Sequence, residues 1–332
     1  ILSIIFLYFL GLFTISHFTK GNDDNKTFFS ANKESPWYLV AFGMIGASLS
    51  GITFISVPGD VGKLEFSYFQ VVLGYLVGYF IVAYILLPIY YKKNVTSIYE
   101  YLKDRFGPVS HKTGAFFFFI SRVIGASFRL FLVAIVLQKF VFESFKIPFE
   151  FTVVLSILLI WVYTNRGGIK TIVWTDTLQT GFMILSVILT IYFINDSLGW
   201  NFTEFINSEK FKKFDNIIVN NSLLERNHFI KSFIGGIFIT VCMTGLDQDM
   251  MQKNLTCKSL KDAQKNMVVF SLVLVIITFL FLVLGALLFI YAETNNISIP
   301  KLNGLENPDL LFPQIAFNSE LGVVVGVTFL LG

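Results

Sequence analysis

Charged residues are scarce in this sequence of 332 residues, since only 14% are Asp, Glu, Lys or Arg while 55% are hydrophobic. A soluble globular domain carries about 25% charged residues. A chain this apolar cannot cover itself with polar side chains, so a soluble globular fold is excluded and lipid is the expected solvent. The net charge of +3 says little by itself, and no nucleic-acid partner is expected.

Cysteine and histidine are also rare, with two and three residues in the whole chain. Cys242 lies in an apolar run and Cys257 in a polar loop. They form neither a disulfide framework nor a metal-ligand spacing, so we predict that both are unpaired. The histidines are scattered, and no nucleophile elbow or phosphate-binding loop is present. We therefore predict that the protein is not an enzyme and needs no cofactor.

The sequence does not begin with Met, and it shows no signal peptide with a cleavage site. The chain opens inside an apolar run, ILSIIFLYFLGLF, and closes inside another, LGVVVGVTFLLG. The second run is shorter than the about 20 residues that a membrane-spanning helix needs. We expect a chain truncated at its C-terminus and also at its N-terminus.

Long apolar runs separated by polar loops make up most of the chain. Eight of them cover residues of roughly 1–18, 37–58, 66–91, 113–142, 149–164, 171–194, 229–247 and 267–292, and a ninth begins at about 319. Runs of this length predict helices, because a strand of a membrane barrel needs only about ten residues. The predicted fold class is therefore all-α, a polytopic membrane helix bundle.

The placement of Lys and Arg predicts the orientation of the bundle. If residue 1 starts outside, the inside loops are 19–36, 92–112, 165–170 and 248–266, and they are richer in Lys and Arg than the outside loops. We predict a multi-pass protein of the cell membrane, the inner or plasma membrane of a bacterium, with its N-terminus outside.

The second apolar run contains GASLSGITFISVPGD, residues 46–60, which is rich in residues that an interior helix does not prefer. Ser48, Ser50, Thr53 and Ser56 supply hydroxyls, and the glycines tolerate unwinding. A helix that unwinds at mid-membrane also frees carbonyl oxygens, which together with hydroxyls suit a hard cation such as Na⁺. Discontinuous helices near the midplane are typical of secondary-transporter sites. The alternative is tight helix packing through small residues.

A carboxylate follows the start of the sixth run, in GGIKTIVWTDTLQTGFM. Asp176 is an ionisable residue within a membrane span, which is costly and therefore a functional-site hypothesis. Gln179 lies one turn further along. The alternative is an interfacial Asp near a helix start, where the helix dipole favours a negative charge.

Two further charged groups lie close to apolar runs. Arg122 and Arg129 are seven residues apart in the fourth run and so share one helical face, where we predict structural ion pairing rather than solute binding. In TGLDQDMMQKNL, Asp247 and Asp249 are predicted to be interfacial caps or gate contacts, with solvated charges as the alternative.

Two polar loops carry helix-start signals. Ser97 with Glu100, in TSIYEYLKDRFG, predicts a capping box that opens a short helix, which Gly107 and Pro108 end. Ser259 with Asp262 repeats that pattern just before the eighth run. Both are expected to be solvated interfacial helices.

Four stretches of the chain together resemble a known family. They are ASLSGITFISVPGD, LLPIYYKKNVTSIYEYLKDRFG, GGIKTIVWTDTLQ and TGLDQDMMQKNLTCKSLKDAQK, and they occur in the order seen in the sodium/solute symporter family. The resemblance implies the LeuT-type fold, built from two inverted five-helix repeats. One transporter domain, 1–332, would then comprise an extra N-terminal helix and loop (1–36), a first repeat (37–196) and an incomplete second repeat (229–332).

The resemblance also implies site residues. In this family the main Na⁺ site lies between the first and eighth core helices, and the ninth apolar run here would be that eighth core helix. By position the sodium-binding residues would be Gly46, Leu49, Ser50 and Asp176. In some members the residue that matches Asp176 lies near a second sodium site or the inner exit path. The positions assigned to the solute cavity are Ser48, Thr53, Thr240 and Met243.

The implied function is sodium-coupled symport of a small organic solute by alternating access, with Na⁺ as the coupling ion and lipid as the surrounding phase. A proton-coupled symporter and a non-transporting sensor built on the same fold are the alternatives. The motifs specify neither the solute nor the oligomeric state.

Overall fold

The chain folds into a bundle of helices that is described, in a computed structural model, for residues 8–14, 35–49, 51–93, 95, 97–164, 168–302, 304–318 and 323–331. The helices of its first half are α1 (Trp37–Ser48), α2 (Gly51–Leu64), α3 (Phe69–Lys93), α4 (Ile98–Phe106), α5 (Pro108–Phe142), α6 (Phe149–Thr164) and α7 (Gly168–Ser197). Residues 8–14 are also helical. α3 contains a π-helical turn at Val82–Leu86, and α5 ends in another at Gln138–Phe142.

The second half continues with helices and one small hairpin. Its helices are α8 (Phe202–Asn207), α9 (Glu209–Lys212), α10 (Phe229–Gly245), α11 (Gln248–Leu255), α12 (Leu260–Thr294), α13 (Leu311–Asn318) and α14 (Val323–Leu331). Strands β1 (Lys301–Leu302) and β2 (Leu305–Glu306) pair antiparallel after α12. The all-α prediction is thus confirmed for the described ranges.

Several helices meet the length and composition expected of membrane spans. Among the described residues these are α3, α5, the Trp174–Ser197 part of α7 and α12, four in all, or up to six if each of two bent helix pairs is one span. The bent pairs are α1 with α2 and α10 with α11. This arrangement agrees with a multi-pass membrane protein.

Some helices begin and end where the sequence predicts. α6 covers residues 149–164 as predicted. Ser97 caps α4 by accepting a hydrogen bond from the Tyr99 amide rather than from that of Glu100, and Gly107, with φ at 87°, ends the helix. The second loop helix is not separate, because α12 begins directly after Ser259 and continues into the apolar run.

α12 is the central helix of the bundle. It packs against α1, α2, α3 and α7, and large side chains along it, such as Phe270 and Phe281, are fully buried. Gly285 lets α2 approach closely, because a Cβ there would lie 2.6 Å from the Pro58 carbonyl oxygen. The helix therefore holds the first half of the chain in place around the break between α1 and α2.

The close crossing of α3 and α10 gives a direct test of the packing. A Cβ on Gly236 would overlap the Val71 carbonyl oxygen, whereas a Cβ on Gly235 meets nothing within 4 Å in the part of the chain that the structure describes. Gly236→Ala should therefore lower the free energy of unfolding by about 1–3 kcal/mol through overpacking. Gly235→Ala should raise it by about 0.5–1 kcal/mol, because alanine is the better helix former. Thermal unfolding in detergent compares the stabilities of the two variants. Equal changes in stability would contradict the close contact between α3 and α10 at Gly236.

The two cysteines differ in environment. Both are free thiols, as predicted, with Cys242 exposed and Cys257 buried. Burial, and then the negative charge of Asp262, raise the pKa of the Cys257 thiol to about 12.

A raised thiol pKa favours the neutral form, so very little reactive thiolate exists at pH 8. In a Cys242→Ser variant at pH 8, we expect Cys257 to react with a maleimide about 100-fold more slowly when folded than when unfolded in detergent. Mass spectrometry of timed samples measures both rates. Rapid labelling of the folded variant would place Cys257 outside the buried position that it has here.

Candidate functional site

The first feature of the site is a helix break at the predicted position. α1 ends at Ser48, and Leu49 leaves the helical conformation with φ at −86° and ψ at 67°. α2 begins at Gly51, and the two helix axes differ by 57°. The last carbonyls of a helix have no partner within it, so in a membrane they must face protein, a ligand or a water-filled cavity. Ser50 lies outside the described residues.

A second break interrupts the helix that contains α10 and α11, and the sequence analysis did not predict it. α10 ends in a π-helical turn at Val241–Gly245, and α11 departs at 65°. Asp247 caps α11, because its Oδ1 accepts hydrogen bonds from the amides of Asp249, at 3.0 Å, and Met250, at 3.2 Å. This confirms Asp247 as a cap, although the cap sits within a broken helix and not only at the end of one.

A cavity of about 310 Å³ lies between the two breaks. It is named here the tyrosine cavity, and its lining includes Ser48, Leu49, Thr53, Tyr68, Tyr75, Tyr79, Arg122, Arg129, Thr240, Met243, Thr244, Asp249 and Thr278. All four residues assigned to a solute cavity from the sequence therefore meet in one space, although they come from α1, α2 and α10. Thr240 is 2% exposed, and its hydroxyl has no hydrogen-bond partner among the described residues.

The three tyrosines of this cavity were missed in the sequence analysis. Tyr68, Tyr75 and Tyr79 are spaced by seven and four residues, so they share one face at the start and along the length of α3. The hydroxyls of Tyr68 and Tyr75 lie 3.4 Å apart. Tyr79 lines the cavity together with Ser48 of α1 and Thr244 of α10. It therefore lies near both helix breaks, and its spacing in the sequence was the signal that could have found it.

A second cavity, of about 300 Å³, lies on the other side of the first break. It is named here the break cavity, and its lining includes Gly46, Leu49, Gly51, Phe54, Gln179, Thr180, Met183, Phe329, Leu330 and Leu331. Leu49 lines both cavities. The break cavity therefore brings the end of α1 together with α7 and α14, the helix that begins in the ninth apolar run.

Gly46 allows α1 to approach α7 closely. A Cβ at this position would overlap the Thr180 hydroxyl oxygen and would lie 3.0 Å from the Asp176 carbonyl oxygen. The Thr180 hydroxyl in turn lies 2.6 Å from the Asp176 carbonyl and 3.4 Å from the Phe42 carbonyl of α1. The absence of a side chain at Gly46 thus fixes where the last turn of α1 lies against α7.

An ion-pair cluster forms one side of the tyrosine cavity. Arg122 of α5 pairs with Asp247, and it lies 3.6 Å from Asp249 and 5.6 Å from the ring centroid of Phe118. This confirms the predicted structural pairing for Arg122. Arg129 lines the same cavity, but within the described part of the chain no carboxylate lies within 4 Å of it. The predicted pairing is therefore not found for Arg129.

Asp176 makes a different contact. Its carboxylate lies 2.6 Å from the ammonium nitrogen of Lys253 on α11. The side chains of Lys253 and Asp176 are only 5% and 19% exposed. Asp176 is therefore paired inside the protein rather than solvated at a membrane interface, and Lys253 is a partner that the sequence analysis did not identify.

Among the site residues predicted from the sequence, the structure forms two groups and one pair. Ser48, Thr53, Thr240 and Met243 line the tyrosine cavity, and Gly46 and Leu49 line the break cavity. Asp176 lies beside the break cavity through its backbone, while its side chain points to Lys253. The roles assigned to these residues stay predictions.

Comparison with known proteins defines the class of this fold and site. A model of the sodium:solute symporter family matches residues 28–321. The chain belongs to the sodium:solute symporter family.

Relatives of known function are similar over most of the chain. The sodium/sialic acid symporter SiaT of Proteus mirabilis is 24% identical over 306 residues, 90% of this chain and 60% of SiaT. The sodium/glucose cotransporter of Vibrio parahaemolyticus is 26% identical over 333 residues, 95% of this chain and 60% of the cotransporter. Human sodium-coupled monocarboxylate transporter 1 is 25% identical over 250 residues, 72% of this chain and 38% of the transporter. The chain thus spans at most about three-fifths of these relatives.

A solved structure supports the fold. It is the substrate-bound, outward-open state of a Na⁺-coupled sialic acid symporter, with a TM-score of 0.87 at 21% identity, covering 99% of this chain and 70% of that one. The prediction of an all-α, LeuT-type membrane bundle is confirmed. The relatives are named as transporters and not as enzymes, in agreement with the sequence analysis. The predicted boundaries of the two repeats stay a prediction.

Proposed function

We propose that this protein couples the entry of Na⁺ to the uptake of a small organic anion by alternating access, in a bacterial plasma membrane with the N-terminus outside. The observation that carries the proposal is that two broken helices meet at the tyrosine cavity, while the break cavity shares Leu49 with it. Discontinuous helices with freed backbone groups are the usual construction of ion and solute sites in secondary transporters.

The sodium ion is proposed to bind in the break cavity. Gly46 and Leu49 lie at the end of α1, where carbonyl oxygens lack helical partners, and Ser50 adds a hydroxyl next to them in the sequence. Carbonyl and hydroxyl oxygens are the ligands that hard cations prefer. The carboxylate of Asp176, predicted as a further sodium ligand, has Lys253 as its partner in this arrangement.

The solute is proposed to bind in the tyrosine cavity, in contact with Ser48, Thr53, Thr240 and Met243. The buried hydroxyl of Thr240 has no partner among the described residues, and this supports a polar solute, because a buried hydroxyl without a partner is costly. Arg129 supports an anion, since its guanidinium has no carboxylate within 4 Å among the described residues and such a group binds carboxylates in bidentate fashion. Sialic acid and monocarboxylates, the solutes in the names of two relatives, carry a carboxylate.

Leu49 lines both cavities, and this connects ion binding to solute binding. An ion on the carbonyls of the break would stabilise one arrangement of α1 and α2, and with it the walls of the tyrosine cavity. Such coupling is reciprocal, so each ligand should tighten the binding of the other. The membrane potential adds about 2.3 kcal/mol per charge and 100 mV to inward sodium movement.

Uptake by the full-length protein in proteoliposomes tests the proposal. Radiolabelled sialic acid, a monocarboxylate and glucose are offered at constant pH in NaCl, LiCl or choline chloride. We expect uptake of one of the carboxylates, at least about tenfold faster in NaCl than in choline. Uptake that follows a pH gradient in choline would favour a proton-coupled symporter. Uptake of glucose alone would contradict the proposal that the solute is an anion.

A further inference from the structure

The largely buried ion pair between Asp176 and Lys253 joins two helices that are far apart in the sequence. Asp176 belongs to α7, while Lys253 belongs to α11, the helix that follows the second break. Their charged atoms are 2.6 Å apart, and the ammonium is nearly enclosed, with the lysine side chain 5% exposed. Lys253 is the only cationic side chain within 4 Å of this carboxylate among the described residues.

A carboxylate in such a place needs a positive partner, because an isolated buried charge is strongly unfavourable. A sodium ion and a lysine ammonium both carry a single positive charge, and either can lie against carboxylate oxygens. The other charged group that acts on Asp176 among the described residues is Asp249, and it is negative. One cation therefore balances the site, and a second beside the same carboxylate would be repelled by the first.

We propose that Lys253 is a tethered cation, whose ammonium occupies the position at Asp176 that a sodium ion would otherwise take. The wild-type protein then binds no Na⁺ through the carboxylate of Asp176. Removal of the ammonium creates a sodium site at this carboxylate. This inference rests on the proposed function for one point only, the number of ions that the wild type binds at the helix break.

Equilibrium binding of ²²Na⁺ to the purified full-length protein, without solute, tests the inference. The wild type should bind one ion, at the break. Lys253→Met should bind one ion more than the wild type, because methionine has a similar length and no charge. Asp176→Asn combined with Lys253→Met should bind the same number as the wild type, since it has neither the ammonium nor the carboxylate.

Two control variants separate charge from other effects of substitution. Lys253→Arg keeps the tethered cation and should bind the same number of ions as the wild type. Lys265→Met removes an exposed lysine whose ammonium lies 4.1 Å from the ring centroid of Trp37, and it should also leave the number unchanged. An additional ion in either control would show that the effect is not specific to Lys253.

Two outcomes would overturn the inference. One is a Lys253→Met protein that binds no more ions than the wild type. The other is a wild type that binds two ions while Asp176→Asn binds one, since the carboxylate would then hold sodium beside the lysine. This second comparison needs no variant of Lys253, so it decides the question even if Lys253→Met fails to fold. A wild type that binds no ion while Lys253→Met binds one would refute the sodium site at the break and leave the tethered cation standing.

Discussion

Gly46→Ala is expected to reduce sodium-dependent uptake by about 100-fold, because an ion site tolerates little displacement of its ligands. The added Cβ would overlap the Thr180 hydroxyl and would lie 3.0 Å from the Asp176 carbonyl oxygen. α1 must then move away from α7, and the carbonyls at the end of α1 move with it. Uptake in proteoliposomes as a function of NaCl concentration measures the effect.

Matched variants show whether the steric contact is the cause. Gly181→Ala makes the same change on α7 at a position where a Cβ meets no described residue within 4 Å, and it should leave uptake near the wild-type level. Thr180→Ala combined with Gly46→Ala removes the hydroxyl that the new Cβ would meet, so it should recover part of the activity. Normal sodium dependence in Gly46→Ala would mean that the last turn of α1 does not hold the ion.

Arg122→Met is expected to lower the free energy of unfolding by about 3 kcal/mol, because it leaves a buried carboxylate without its cation. Asp247 is 8% exposed and pairs with Arg122, while its Oδ1 caps α11. Loss of the guanidinium should destabilise the second helix break and, with it, one wall of the tyrosine cavity. Thermal and chemical unfolding in detergent give the stability, and uptake gives the consequence for transport.

Two further variants test this explanation. Arg122→Met combined with Asp247→Asn removes both charges and keeps a side chain that can cap α11, so most of the lost stability should return. Arg105→Met removes an exposed arginine that hydrogen-bonds to Tyr101 at 2.6 Å, and its effect should be within about 0.5 kcal/mol. A double variant no more stable than Arg122→Met would show that the pair is not what holds the break.

The sequence alone predicted the features that depend on local composition. The excess of apolar residues identified the membrane helices, and runs of sufficient length fixed bounds such as 149–164. Glycines and hydroxyls close together in one apolar run predicted the break between α1 and α2. The seven-residue spacing of Arg122 and Arg129 placed them on one face, although only Arg122 has a carboxylate partner among the described residues.

The second break shows where local reasoning was insufficient. The apolar run ending at 247 looked continuous, and the polar residues after it were consistent with the edge of a membrane helix. Asp247 can cap a helix in either situation, so its residue type does not decide between them. Only the packing of Arg122 against it, from a helix more than a hundred residues earlier, places this cap inside a broken span.

The sequence by itself thus determined the lipid environment, the membrane helices and the break between α1 and α2. Hydrophobicity, helix length and backbone freedom act over short stretches of chain, so local composition is enough to predict these features. The partner of Asp176 lies 77 residues away. The hydroxyl of Thr240, which has no partner among the described residues, shares its cavity with residues from six other helices. Such meetings depend on how the helices cross, and many distant residues together decide that. The tertiary structure alone therefore showed that the ammonium of Lys253 lies 2.6 Å from the Asp176 carboxylate, which the sequence had assigned to sodium.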